Sequence, residues 1–260
     1  VICGGPTAER GISLNSARSL LDHLRSDKVD VLTYYMDPKL RTYQLSNTQL
    51  YSNTPSDFDF KLLCHSEPFD SPEALVEHLK TSVDIVFPMV HGEWGEDGRI
   101  QELLELEEIP FVGSSSATCK KAFHKFNACQ EIGACGYESV PSLQVTLDSL
   151  SALPEQFGAW LAEHAFDQDG LFVIKPCLGG SSIGVTVVRG SDEATATLQQ
   201  ELQSQQGEGG AETAEAAETA FVVQPYVRGI EFTLNVIETS KGPMALMPTE
   251  IDLVAKGKEG

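Results

Sequence analysis

The sequence has little positive charge: lysine and arginine total 18 against 38 aspartates and glutamates, a formal net charge of −20. Nucleic acid and anionic membrane surfaces both bind through basic patches, so neither is an expected partner. Long apolar runs are missing too. No stretch approaches the roughly 18 residues of a membrane span, and no signal peptide is expected. The six cysteines, Cys3, Cys64, Cys119, Cys129, Cys135 and Cys177, form no C-x-x-C and no His/Cys cluster with zinc spacing. That leaves no metal site legible in the sequence. Scattered cysteines point to a reducing compartment, with Cys119 and Cys129 expected as small core residues. Two nucleotide signatures are also absent, G-x-x-x-x-G-K-[ST] and G-x-G-x-x-G. Any nucleotide would need another architecture.

What is present supports a sizeable core. Hydrophobic residues make up 41% of 260, enough for one large domain or two small ones. Val1-Ile2-Cys3 starts inside an apolar run, so the chain is expected to be truncated at its amino terminus. After Gly4-Gly5-Pro6 a helix is expected, with Ser13 as its N-cap and Leu14, Ala17, Leu20, Leu21 and Leu24 at helical spacing. Glu9 then lies in a strand-to-helix loop, the ligand side of an open α/β sheet. On local pattern alone a surface carboxylate near a helix N-terminus, favoured by the dipole, is the preferred reading. Val29–Tyr35 reads as a strand. Residues 37–82 read as a surface excursion with one helix near Pro72–Leu79. Asp84–Val90 reads as a buried strand running into His91-Gly92-Glu93-Trp94-Gly95-Glu96-Asp97-Gly98, dense in glycine and acid. A helix follows from Arg99. Phe111-Val112 is a short strand. Ser114–Ile132 is expected as one helix, with Lys125 beside its apolar stripe.

The second half centres on Leu171–Arg189. An apolar run carries Lys175, the loop Gly179-Gly180-Ser181-Ser182 follows, and a second β-branched run begins at Ile183. Strand, loop, strand is the reading. Exposed backbone N–H groups and a nearby lysine suit a phosphate, although an ordinary glycine hairpin fits the same residues. Residues 201–219 hold five glutamates and no base, and read as a solvated, disordered insertion without chemistry. Strands are expected at Phe221–Val223, Glu231–Ile237 and Met244–Met247.

Four stretches, in order, resemble the signature of the D-alanine–D-alanine ligases. They are Gly4–Ser13, His91–Gln101, Lys175–Gly184 and Arg228–Thr233. The resemblance implies an α/β fold of ATP-grasp type with an N-terminal Rossmann-like domain. It divides the chain into a substrate domain over 1–114, a small ATP-grasp lobe over 115–226 and the start of a carboxyl-terminal lobe over 227–260. It implies that a first D-alanine's carboxylate attacks the γ-phosphate of ATP, and that a second D-alanine's amine attacks the resulting acylphosphate. By the same resemblance Lys125 and Lys175 contact ATP phosphates, while Gly180, Ser182 and the flap backbone cover them. Gln224, Tyr226 and the backbone between them form the adenine hinge, and Glu231 binds ribose. Glu9 holds the ammonium of the first D-alanine with Ser181 as its partner, and His91 lies near that substrate's carboxylate.

Departures from the pattern are Glu102 in place of a small residue, expected to crowd the site, and Gly179 and Gln224 where glutamate is common. Magnesium is implied, with ligands expected beyond the end of this chain; Glu250 and Asp252 come too early to be those ligands. The chain is accordingly expected to be an incomplete, inactive fragment of a cytoplasmic homodimer, or of a stromal one in a plastid-bearing eukaryote. D-lactate, D-serine or another amino acid as second substrate, and a non-catalytic nucleotide-binding module, remain open alternatives.

Overall fold

The computed structural model describes residues 1–24, 26–65, 67–208 and 220–251. In the amino-terminal half, β1 (Ile2–Gly4) pairs in parallel with β2 (Thr33–Met36), and β3 (Thr42–Leu45) adds antiparallel to β2. On the other side of β1 the chain joins by single parallel bridges, Ile2 to Pro88 and Val86 to Phe111. The runs expected as strands at 84–90 and 111–112 are therefore bridged extended chain, and Pro88 has no N–H to lengthen the ladder. β2 starts four residues later than the apolar run at Val29.

α1 (Arg10–Leu24) buries Leu14, Ala17 and Leu21 along one stripe. It starts before Ser13, which therefore does not cap it. The Ser13 hydroxyl accepts from Gly4 N–H at 2.8 Å and donates to the Met89 carbonyl at 2.5 Å, tying β1 to the 86–90 segment. Residues 37–82 are no surface excursion. Besides β3 they form α2 (Asn47–Ser52), α3 (Pro55–His65) and α4 (Pro72–Ser82). Tyr43, Leu45, Leu50, Phe58 and Leu62 pack with Leu14 and Leu21 in one core. Ser46 with Gln49 forms a capping box on α2, and Ser71 caps α4 ahead of Pro72.

α5 (Arg99–Leu106) begins where expected and buries Ile100 and Leu104. The single helix expected over 114–132 is two, α6 (Ser116–Phe123) and α7 (Lys125–Ala134). His124 breaks them apart, and its ring caps α7 by accepting from Asn127 N–H at 3.3 Å. Cys119 and Cys129 are only partly buried, against the expectation of core positions.

The second half holds β4 (Leu143–Thr146), α8 (Leu153–His164), β5 (Leu171–Pro176), β6 (Thr186–Arg189), α9 (Gly190–Glu208) and β7 (Ala220–Pro225). The strands form an antiparallel sheet in the order β4-β7-β5-β6. Side chains alternate across it. Phe172, Ile174, Phe221 and Val223 face the helices α8 and α9 with Phe157, Trp160 and Leu198. Ala220 and Val222 face the other way, toward Cys177 and Phe126 of α7. Lys175 stands opposite Val222 in the β5–β7 register.

α9 continues through Glu208, so the first eight residues of the segment 201–219 are helical; residues 209–219 lie outside the described residues. Leu202 is 1% exposed and belongs to the α8–α9 core. The glutamates around it disguise the end of a buried stripe that Ala194 and Leu198 begin on the same helix. Leu202→Ala is expected to destabilise the protein by about 2–4 kcal/mol. Urea unfolding checks this, and an unchanged midpoint would return the segment to solvent.

The carboxyl-terminal part forms two antiparallel ribbons, β8 (Glu231–Thr233) with β11 (Thr249–Ile251), and β9 (Val236–Thr239) with β10 (Gly242–Ala245). The strand expected over 231–237 divides at Leu234-Asn235. The last expected strand lies slightly earlier, at Gly242–Ala245. Among the described residues no helix is long and apolar enough to cross a membrane.

Candidate active site

Three of the loops singled out in the sequence meet at Glu9. This carboxylate sits between β1 and α1 and is 9% exposed. The Ser181 hydroxyl donates to Glu9 Oε1, across 172 residues of chain. Gly92 and Gly180 close around the same group. A Cβ at Gly92, where φ is +72°, would stand 2.7 Å from Glu9 Oε2, and one at Gly180 would stand 3.5 Å from Oε1. Only a residue without a side chain leaves the carboxylate its place beside Gly92. Thr7 fastens the two amino-terminal loops together. Its hydroxyl accepts from Glu9 N–H at 3.2 Å and donates to the His91 carbonyl at 3.1 Å.

His91 is oriented from both sides of its ring. Nε2 lies 3.1 Å from Ser16 Oγ, and Nδ1 lies 3.7 Å from Glu96 Oε1. Glu96 Oε2 accepts from Gly92 N–H at 3.0 Å. Sequence reasoning did not assign roles to Ser16 and Glu96; the i, i+3 spacing of Ser13 and Ser16 on one helix face was the signal available. Of the remaining acids of this loop, Glu93 pairs with the Arg99 guanidinium at 2.6 Å and Asp97 holds the backbone. Asp97 accepts from Trp94 N–H and from Arg99 N–H, each at 3.0 Å. A cavity of about 310 Å³ opens beside His91, bounded also by Met89, Gly95, Gln101 and Cys119. Glu102 does not crowd it. Its carboxylate turns to the surface and pairs with Lys120 at 2.8 Å.

The β5–β6 loop is the flap. Ser181 and Ser182 both have left-handed backbones, φ +52° and +59°. That conformation is uncommon outside glycine and survives only where its surroundings fix it. Here it carries the Ser181 hydroxyl to Glu9. The base of the flap is pinned to α7, since Lys125 N–H donates to the Cys177 carbonyl at 2.8 Å and Lys125 Nζ to the Gly179 carbonyl at 2.6 Å. Burial lowers the Lys125 pKa, and the like charge of Lys175 lowers it further. Cys177 supplies no countercharge, because burial pushes its thiol up to about 11. Among the described residues neither lysine pairs with a carboxylate, which fits an anion.

The remaining expected residues stand farther along the chain. Gln224 is buried on β7, on the Val222 side of the sheet, and its Nε2 donates to Ser142 Oγ at 2.7 Å. Tyr226 N–H is committed to the Leu171 carbonyl at 2.9 Å, so that amide is not open to a ligand. Ser182 is exposed on the flap, and Glu231 is exposed at the start of β8. Glu231 takes no part in the hydrogen bonds joining the flap to Glu9.

Residues 1–114 match the family model for the D-ala D-ala ligase N-terminus. The chain is 30% identical over 285 residues to a D-alanine–D-alanine ligase of Streptomyces avermitilis, covering 96% of this chain and 66% of that protein. It is also 30% identical over 188 residues to the vancomycin C-type resistance protein VanC1 of Enterococcus gallinarum, covering 72% of this chain and 53% of the relative. It therefore spans less than two thirds of either relative's length. The solved D-alanine–D-alanine ligase of Coxiella burnetii superposes with a TM-score of 0.74 at 23% identity, covering 96% of this chain and 69% of that one. The likeness to the solved ligase extends over nearly the whole chain: the fold is ATP-grasp, and residues 1–114 belong with the N-terminal part of the D-alanine–D-alanine ligases.

Proposed function

We propose that the protein works in ATP-dependent joining of two D-alanines, through an acylphosphate of the first. The observation that carries this is the Ser181–Glu9 bond, which sets a buried carboxylate directly under a flap whose base holds two lysines with no carboxylate partner among the described residues. A substrate with an ammonium at one end and a carboxylate at the other fits between them. Glu9 takes the ammonium, His91 lies toward the carboxylate, and Lys125 and Lys175 hold the phosphates that the carboxylate attacks. Such phosphoryl transfer depends on positioning and on charge neutralisation. The second amine then attacks the acylphosphate and phosphate leaves. In this reading Gly180 and Ser182 cover the phosphates, Gln224 and Tyr226 border the adenine, and Glu231 receives the ribose. The work is cytoplasmic supply of peptidoglycan precursors by a homodimer.

Magnesium accompanies the nucleotide in this family resemblance. Among the described residues no three His, Cys, Asp or Glu side chains gather where they could hold it. The roles above rest on the lysines, Glu9, Ser181 and His91.

The deciding experiment measures phosphate release from ATP and magnesium with and without D-alanine, and the dipeptide formed. D-alanine-dependent release supports the reading. ATP binding with no D-alanine dependence would instead favour a nucleotide-binding module. Lys175→Ala is expected to weaken ATP binding by about tenfold or more, since a charge-assisted contact contributes about 1.5–3 kcal/mol. Calorimetric titration checks it, and unchanged affinity would remove Lys175 from the phosphate site.

A further inference from the structure

Gln224 is 6% exposed and points from β7 toward α7 and the segment before β4. Its Nε2 donates to Ser142 Oγ at 2.7 Å and to Cys129 Sγ at 3.4 Å. Ser142 Oγ lies 2.8 Å from the Val140 carbonyl oxygen. A carbonyl oxygen only accepts, so the single hydroxyl proton of Ser142 points at Val140. Ser142 can then only accept from Gln224. This fixes the amide: nitrogen toward Ser142 and Cys129, oxygen away from both. Among the described residues Gln224 Oε1 accepts no hydrogen bond, and it is not one of the sealed, unpaired polar atoms.

A carboxylate presents acceptors whichever way it turns. An amide presents a donor as readily as an acceptor, because the two orientations have nearly the same shape. A glutamine beside a purine therefore reads the base only if its orientation is held. We propose that Ser142 and Cys129 are positioning residues that hold the Gln224 amide as an acceptor, and that this arrangement selects the amino group of adenine against the O6 carbonyl of guanine or hypoxanthine. The proposal rests on Gln224 bordering the base, as in the function proposed above. With the lock in place, O6 meets an oxygen and its hydrogen bond is lost. Without it, the amide turns and offers Nε2 to O6.

The test measures dissociation constants for ATP and for ITP, whose base differs in carrying O6 in place of the amino group. The protein is expected to favour ATP by about tenfold or more, the cost of leaving one buried acceptor facing another. The pair Ser142→Ala and Cys129→Ala should bring that ratio close to one, chiefly by tightening ITP. Ser142→Thr keeps the hydroxyl and should keep the ratio. Adding Gln224→Glu to the alanine pair should restore preference for ATP, because a carboxylate has no donor to turn. Loss of packing alone would weaken both nucleotides together and leave the ratio in place, and that result would overturn the proposal. Gln224→Ala separates the two levels. If it leaves ATP affinity and the ratio unchanged, Gln224 does not border the base, and the hinge reading fails along with the lock. If it changes them while the alanine pair does not, only the lock fails.

Discussion

Under the proposed function, Glu9→Gln is expected to lower kcat/KM for D-alanine by about 10²–10³-fold, the effect of removing one partner from a desolvated charge pair worth about 3–5 kcal/mol when broken. The substitution keeps the shape. An amide oxygen can still accept from Ser181, and Gly92 still leaves room for the group. What it removes is the negative charge that the proposal assigns to the substrate ammonium. The KM for ATP should stay within about twofold, since the proposal puts the phosphates on the lysines and not on Glu9. Ser181→Ala removes only one neutral donor to the carboxylate and should have a smaller effect, about 1–2 kcal/mol. Steady-state ADP formation at varied D-alanine and at varied ATP separates these outcomes. A Glu9→Gln enzyme with normal D-alanine dependence would reduce Glu9 to a fastener for the flap.

Gly95→Ala is expected to destabilise the protein by about 3 kcal/mol, the upper end for forced overpacking. The alanine Cβ would stand 1.9 Å from the Val90 carbonyl oxygen and 2.4 Å from its carbon. Both obstacles are backbone, and no side chain can swing aside. The loop itself must move. It carries His91 on one side, and on the other it accepts the Gln101 amide through the Gly95 carbonyl at 2.7 Å. Thermal unfolding should fall by about 6–12 °C for a chain of this size, and the D-alanine dependence should weaken with it. A fall of under about 1 kcal/mol would mean that the turn from Val90 to Gly95 gives way easily.

The sequence carried the flap because its physics is local. β-branched runs on both sides of Gly-Gly-Ser-Ser can only be strand, loop and strand, and β5 and β6 pair in that way. The start of α5 at Arg99 was legible for the same reason, from Ile100 and Leu104 at helical spacing. Residues 37–82 were not legible as core. Their helices are short, and their buried residues, Tyr43, Leu50 and Phe58, belong to different elements and gather only in three dimensions. No window of sequence shows that periodicity. Ser13 was misread because an N-cap and a strand-fastening hydroxyl look identical in a sequence. Which partner the hydroxyl finds depends on Met89, 76 residues away. Glu102 was misread for want of Lys120, which draws it to the surface. Lys175 stood out from the local flap pattern, whereas the roles given to Glu9, His91, Lys125 and Ser181 came from motif resemblance. Local pattern alone left Glu9 open between a ligand-side loop and a surface carboxylate, and set Lys125 only beside an apolar stripe.

The 172 residues between Glu9 and Ser181 also set a schedule for synthesis. At about 5–20 residues per second, a ribosome finishes Glu9 roughly 9–34 s before it reaches Ser181. The cores around Tyr34 and Tyr35 draw only on residues before 114, so they can close during that interval. Throughout it the carboxylate has water for a partner and the site has no lid. A nascent chain of this protein can therefore have a folded amino-terminal half well before it has a flap to close over Glu9.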